Sequence, residues 1–142
     1  MTTKTSTHVS SKAPEPVGFY PHARRAGNFL FMSGIGPRKR GTKDIPGVTL
    51  DENRNIISYD FEMQCHSVFE NVRLILEDSG AAWEDLIDVT VYLTNMRRDF
   101  ADYNKLWAQY FKVEPPCRTT VEVTALPTPI AIELKCIAVL KD

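Results

Sequence analysis

Polar and apolar positions follow two rhythms along this chain. Phe61, Cys65, Val68, Phe69, Val72, Ile75 and Leu76 recur at helical spacing, so the pattern predicts an amphipathic helix. Asp60 stands where an N-cap belongs and Gly80 where a helix stops. Ile87, Val89, Val91 and Leu93 then alternate with Asp88, Thr90 and Tyr92, the period of a half-buried strand. A second helix is expected from about Asp99, with Phe100, Tyr103, Leu106, Trp107, Tyr110 and Phe111 on its inner face. Pro115-Pro116 ends it. Residues 118–123 alternate as a strand, and 131–140 form the last and longest one. Near the start, residues 17–25 and 29–33 flank Gly27-Asn28 and read as a hairpin. Residues 34–55 are loop-like, and a loop of that length is often functional. The order β-β-α-β-α-β-β implies an α+β fold, two helices covering one face of a mixed sheet.

Ile132, Leu134, Ala138 and Leu140 share one face of the last strand, and Glu133 and Lys135 share the other with Ile137 and Val139. A strand apolar on both faces needs cover on its second side, which an oligomer interface supplies.

Composition narrows the picture. The 142 residues suit one domain: a flexible lead-in over 1–16, then a single domain over 17–142. Seventeen Lys and Arg against eighteen Asp and Glu leave a net charge of −1, which argues against a nucleic-acid binder or a polybasic membrane anchor. Three widely spaced cysteines build neither a disulfide framework nor a zinc signature and suit a reducing cytosol. The Ser/Thr-rich N-terminus lacks the apolar core of a secretory signal, and no run is long enough to span a bilayer. The expectation is a cytoplasmic protein.

Few residues carry chemistry. Arg118 opens a strand directly after two prolines; its guanidinium either grips a carboxylate or pairs with Glu122 at the surface. Glu133, flanked by Ile132 and Leu134, is expected to be partly buried, and then it either holds a water or forms a structural salt bridge. Cys117 beside Arg118 reads as an inert thiol, and Cys65 and Cys136 as packing. His8, His22 and His66 lack ligand spacing. Arg38-Lys39-Arg40 and Arg97-Arg98 read as solvated charge. G-I-G-P-R is not a phosphate loop, and the chain carries no cofactor motif. This set fits hydrolysis or tautomerisation of a small carboxylate.

The segments V-G-F-Y, G-N-F-L-F-M-S-G, N-V-R-L-I-L-E-D-S-G, D-V-T-V-Y-L-T-N-M and P-C-R-T-T-V-E-V followed by I-E-L-K-C-I-A resemble the RidA/YjgF family of reactive intermediate deaminases from Val17 to Leu140. The long G-I-G-P-R…I-P-G-V loop and A-L-P-T-P-I-A-I-E-L look most like its 2-aminomuconate deaminase branch. The resemblance implies a chorismate-mutase-like fold, a homotrimer with active sites in clefts between subunits, and hydrolytic deamination without a cofactor. It implies that Arg118 grips a substrate carboxylate, that Glu133 positions the attacking water, and that Tyr20, Ser33, Gly34, Asn104 and Thr120 line the pocket. Thr120 stands where many members carry a cysteine, and Cys117 lies on the other side of the arginine. In the aminomuconate reading the product is 4-oxalocrotonate. The substrate's second carboxylate needs a second cation, Arg24, Arg25 or Arg38, of which Arg38 is favoured by its place in the loop. The alternatives are a general 2-imino acid deaminase and a binding protein without turnover.

Overall fold

The computed structural model describes residues 4–141. Eight strands and two α-helices run in the order β1 (Thr5–His8), β2 (Ala23–Ala26), β3 (Phe29–Met32), β4 (Val48–Leu50), β5 (Ile56–Tyr59), α1 (Phe61–Asp78), β6 (Leu86–Leu93), α2 (Met96–Tyr110), β7 (Cys117–Glu122) and β8 (Ile132–Val139). Six strands make one sheet, β1-β2-β3-β8-β6-β7, and β4-β5 make a separate ribbon. β6 and β7 pair in parallel, as strands joined by a crossover helix do, and the other neighbours are antiparallel.

Local chemistry explains the helix limits. The Asp60 carboxylate accepts the Met63 amide at 3.0 Å and starts α1. Past its end Gly80 sits at φ 81°, where a side chain would be strained. α2 begins three residues before the expected Asp99, because Asn95 Oδ1 accepts the Arg98 amide at 3.0 Å and takes the cap. Phe100 is exposed rather than on the inner face, at the margin of the stripe that buries Tyr103 and Leu106.

The core lies between the two helices and one face of the sheet. Leu30 and Met32 of β3, Val89, Val91 and Leu93 of β6, and Ile132, Leu134, Cys136 and Ala138 of β8 meet Cys65, Val68, Phe69, Val72 and Leu76 of α1. The alternate residues face away from the helices: Phe29 and Phe31 of β3 lie in register with Val139 and Ile137 of β8 and remain exposed. This is the apolar second face expected from the last strand.

Three expectations are corrected. Within the lead-in assigned to residues 1–16, Thr5–His8 pair with Ala23–Ala26 as an edge strand, and Ser10 and Ala13 are buried; residues 1–3 lie outside the described ones. The polar Thr/Ser run gave no apolar alternation because an edge strand buries little. The 34–55 loop contains β4, which folds onto β5 as its own ribbon. The first hairpin strand is shorter than 17–25, starting at Ala23. No helix among the described residues is long and apolar enough to cross a membrane.

Candidate active site

The sequence-derived residues gather in two places. β7 and α2 build the first. Arg118 donates from Nη2 to Asn104 Oδ1 at 2.7 Å. Its guanidinium carbon lies 5.1 Å from the ring centre of Trp107, 5.6 Å from Tyr103 and 5.8 Å from Phe100, all within cation–π range. Helical spacing sets these four α2 residues, at 100, 103, 104 and 107, side by side. Glu122 does not pair with Arg118; it caps α2 by accepting the Met96 amide at 2.9 Å. Among the described residues Arg118 forms no ion pair. A guanidinium held by a neutral amide and ring faces keeps donors free for a planar anion. Two residues along, the Thr120 hydroxyl is buried without a hydrogen-bond partner. Burial lifts the Tyr103 phenol well above its ordinary range.

The second place surrounds Glu133 on β8. Gly34 presses against it: a Cβ on Gly34 would lie 2.8 Å from Glu133 Oε2. Ser33 is fixed by both its groups, its hydroxyl donating to the Pro21 carbonyl at 2.7 Å and its amide to the His22 carbonyl at 2.9 Å. Tyr20, Ser33, Gly34 and Arg38 line one narrow recess, walled by Pro14 and Pro16. Burial raises the Glu133 carboxyl above its ordinary value, and the Arg38 guanidinium pulls it partly back. Among the described residues no ion pair closes on Glu133, so the salt-bridge reading does not describe it there. Of the other candidate cations, Arg25 is tied into the hairpin turn through Gly27 O at 2.7 Å, and Arg24 stands beside Phe31.

The sheet separates the two places within one chain. Arg118 lies opposite Val89 and Thr120 opposite Val91, both buried against the helices. Glu133 alternates with buried Ile132 and Leu134 and lies opposite Tyr92, so it faces the other way. Cys117 is exposed, and Cys65 and Cys136 are buried in the core, where burial pushes the Cys136 thiol up to about 12. Sequence reasoning missed Trp107 as a partner of Arg118 and His22 as a buried polar anchor. The signal for Trp107 was its three-residue spacing from Asn104; a lone histidine carried none.

The fold, with two helices on a mixed sheet, is that of the RidA/YjgF structures. It matches the crystal structure of yeast Mmf1 with a TM-score of 0.83 at 28% identity, over 97% of this chain and 100% of that one. The Escherichia coli YjgF gene product matches with a TM-score of 0.81 at 28% identity, over 96% and 99%. The family model described as Endoribonuclease L-PSP matches residues 10–140, and the chain belongs to that family. A RutC family protein of Pyrococcus horikoshii is 40% identical over 91% of this chain and 93% of its own. Reactive Intermediate Deaminase A of Arabidopsis thaliana is 34% identical over 92% of this chain and 64% of its own.

Proposed function

We propose that this protein hydrolyses the C=N bond of small 2-imino carboxylates, releasing ammonia. The observation that carries the reading is Arg118, a cation with no acidic partner among the described residues, aimed by Asn104 and three ring faces. In this reading Arg118 binds the substrate carboxylate with parallel hydrogen bonds and so fixes the neighbouring imine carbon. Glu133 takes a proton from water as the oxygen attacks that carbon. It passes that proton to the imine nitrogen, which gives the carbinolamine. It then takes the proton of the new hydroxyl and hands it to the amino nitrogen as the C–N bond breaks and the C=O bond forms, so ammonia leaves and a 2-oxo acid remains. Burial that raises the Glu133 carboxyl brings it nearer to a group able to both accept and return a proton.

Arg118 and Glu133 face opposite ways in one chain, so the working site is read as composite, Arg118 of one copy meeting Glu133 of the next across the apolar face carrying Phe29 and Phe31. A closed ring, here a homotrimer, gives every copy the same junction. Arg38, which shares the Gly34 recess and whose charge acts on Glu133, favours a finer reading, a dicarboxylate such as 2-aminomuconate whose far carboxylate meets that second cation.

The test is ammonia release from freshly generated 2-iminopropionate and 2-aminomuconate, by wild type and Arg118→Ala. Turnover lost in the variant supports the reading, and preference for the dicarboxylate supports the finer one. Equal or better turnover of the small imine leaves a general imine deaminase. No turnover of either returns the protein to a binding role.

A further inference from the structure

His22 is 3% exposed and makes two hydrogen bonds that only one neutral tautomer satisfies. The Ser10 amide donates to Nδ1 at 2.9 Å, so Nδ1 carries no proton; Nε2 therefore carries it and donates to the Pro14 carbonyl at 2.8 Å. The ring thus grips both ends of one turn of chain. Ser10 Oγ tightens that turn by accepting the Lys12 and Ala13 amides at 3.1 and 3.0 Å and donating to Asp78 at 2.6 Å. Arg40 reaches the Ser10 and Ala13 carbonyls from outside, at 3.3 and 2.9 Å. The next residue, Glu15, offers its carbonyl to Arg38 Nη2 at 2.7 Å. Arg38 is anchored from behind as well, its own carbonyl accepting Asn71 Nδ2 at 2.7 Å. Residues 10–16 therefore form a strap: pinned by His22 at one end, it steadies at the other the Arg38 guanidinium, which lines the same recess as Gly34, the residue packed against Glu133.

We propose that His22 is a positioning residue for the Glu133 side of the site, holding the strap whose Glu15 carbonyl keeps Arg38 beside the carboxylate. The importance of that geometry rests on the reading of Glu133 as the water-activating group.

Glutamine offers the same pair, an acceptor oxygen and a donor amide, and alanine offers neither. The experiment compares wild type, His22→Ala and His22→Gln by the titration of the Glu133 side-chain carboxyl, followed by carbon NMR, and by steady-state ammonia release. In His22→Ala the Glu133 midpoint should rise by about half a pH unit as Arg38 drifts off, since a nearby cation holds it down. kcat/KM should fall ~10-fold, and His22→Gln should restore both. In an Arg38→Met background His22→Ala should move the Glu133 midpoint no further. A folded His22→Ala protein with an unmoved Glu133 midpoint overturns the proposal, as does a shift that persists in the Arg38→Met background. The expected Glu133 shifts without turnover by wild type would support His22 as the anchor and sink the deaminase reading instead.

Discussion

Arg118 and Glu133 stand on opposite faces of one sheet, the first beside buried Val89 and the second beside half-buried Tyr92. If the site is shared between copies, two inactive variants should repair each other. Arg118→Ala and Glu133→Gln, each inactive alone, are unfolded together and refolded at equal ratio. Random assembly leaves roughly one quarter of the junctions with both groups intact, so activity should return to about a quarter of wild type. A site contained in one chain predicts no recovery at all.

Arg118 is held by partners that do not neutralise it. Loss of a charge-assisted pair to a carboxylate costs about 3 kcal/mol, so Arg118→Ala should lower kcat/KM by ~10²-fold. Arg118→Lys should not rescue it, because an ammonium lacks the planar fork. Trp107→Leu removes one ring face and keeps apolar bulk. A cation–π contact of about 0.5–1 kcal/mol corresponds to a two- to fivefold rise in KM, with kcat little changed. A Trp107→Leu enzyme with wild-type KM would show that Asn104 alone aims the arginine.

Periodicity carried most of the fold. Both helices and β6 and β8 were legible because each buries one face, and burial writes a period into the sequence; β7, exposed or half-buried throughout, showed only through its alternation after Pro115-Pro116. β1, β4 and β5 were not legible, since Thr5–His8 and Ile56–Tyr59 are short and mostly exposed and Val48–Leu50 is three residues with none fully buried. Glu133 was legible by contrast with Ile132 and Leu134, and Arg118 by its place directly after Pro115-Pro116. Their mutual placement was not, because opposite faces become certain only with the register of β6 against both neighbours. His22 acts through the backbone of a strap twelve residues upstream, and no local pattern announces such a contact.

Gly34 has no room for a side chain on its Glu133 side. In Gly34→Ala the new methyl would meet Glu133 Oε2 at 2.8 Å, and the end of a long side chain yields more easily than backbone. The expected result is a normally folded protein with kcat down by roughly tenfold or more, because small displacements of a reacting group cost that much. A Gly34→Ala enzyme with full kcat would place the working carboxylate elsewhere.

Glu133 also writes itself into stability. Burial lifts its carboxyl above the ordinary value, so the folded state binds more protons than the unfolded one over the window between the two pKa values. Stability must then fall as pH rises through that window, from about 4.3 upward. Glu133→Gln has no such loss. It should melt at or above wild type at pH 8, and its advantage should vanish at pH 4. A variant that melts lower at pH 8 would mean the ionised carboxylate has partners that stabilise it.

The β4–β5 ribbon is fastened to α2 through Tyr59, whose hydroxyl donates to Asp99 Oδ2 at 2.6 Å, with Asp99 1% exposed. Arg98 adds a bond to the Tyr59 carbonyl at 2.9 Å and lies 4.0 Å over the ring. Tyr59→Phe leaves the buried Asp99 without this donor, which should cost about 1–3 kcal/mol at pH 8. Burial, then the Asp99 bond, pushes the phenol up to about 12. A folded value above the unfolded one of about 10 means that its contribution is complete below pH 10 and lost as pH climbs to 12. Urea unfolding across pH 8 to 12 should therefore show the wild type falling toward the Tyr59→Phe line. Parallel lines across that range would mean that Tyr59 does not titrate with the fold.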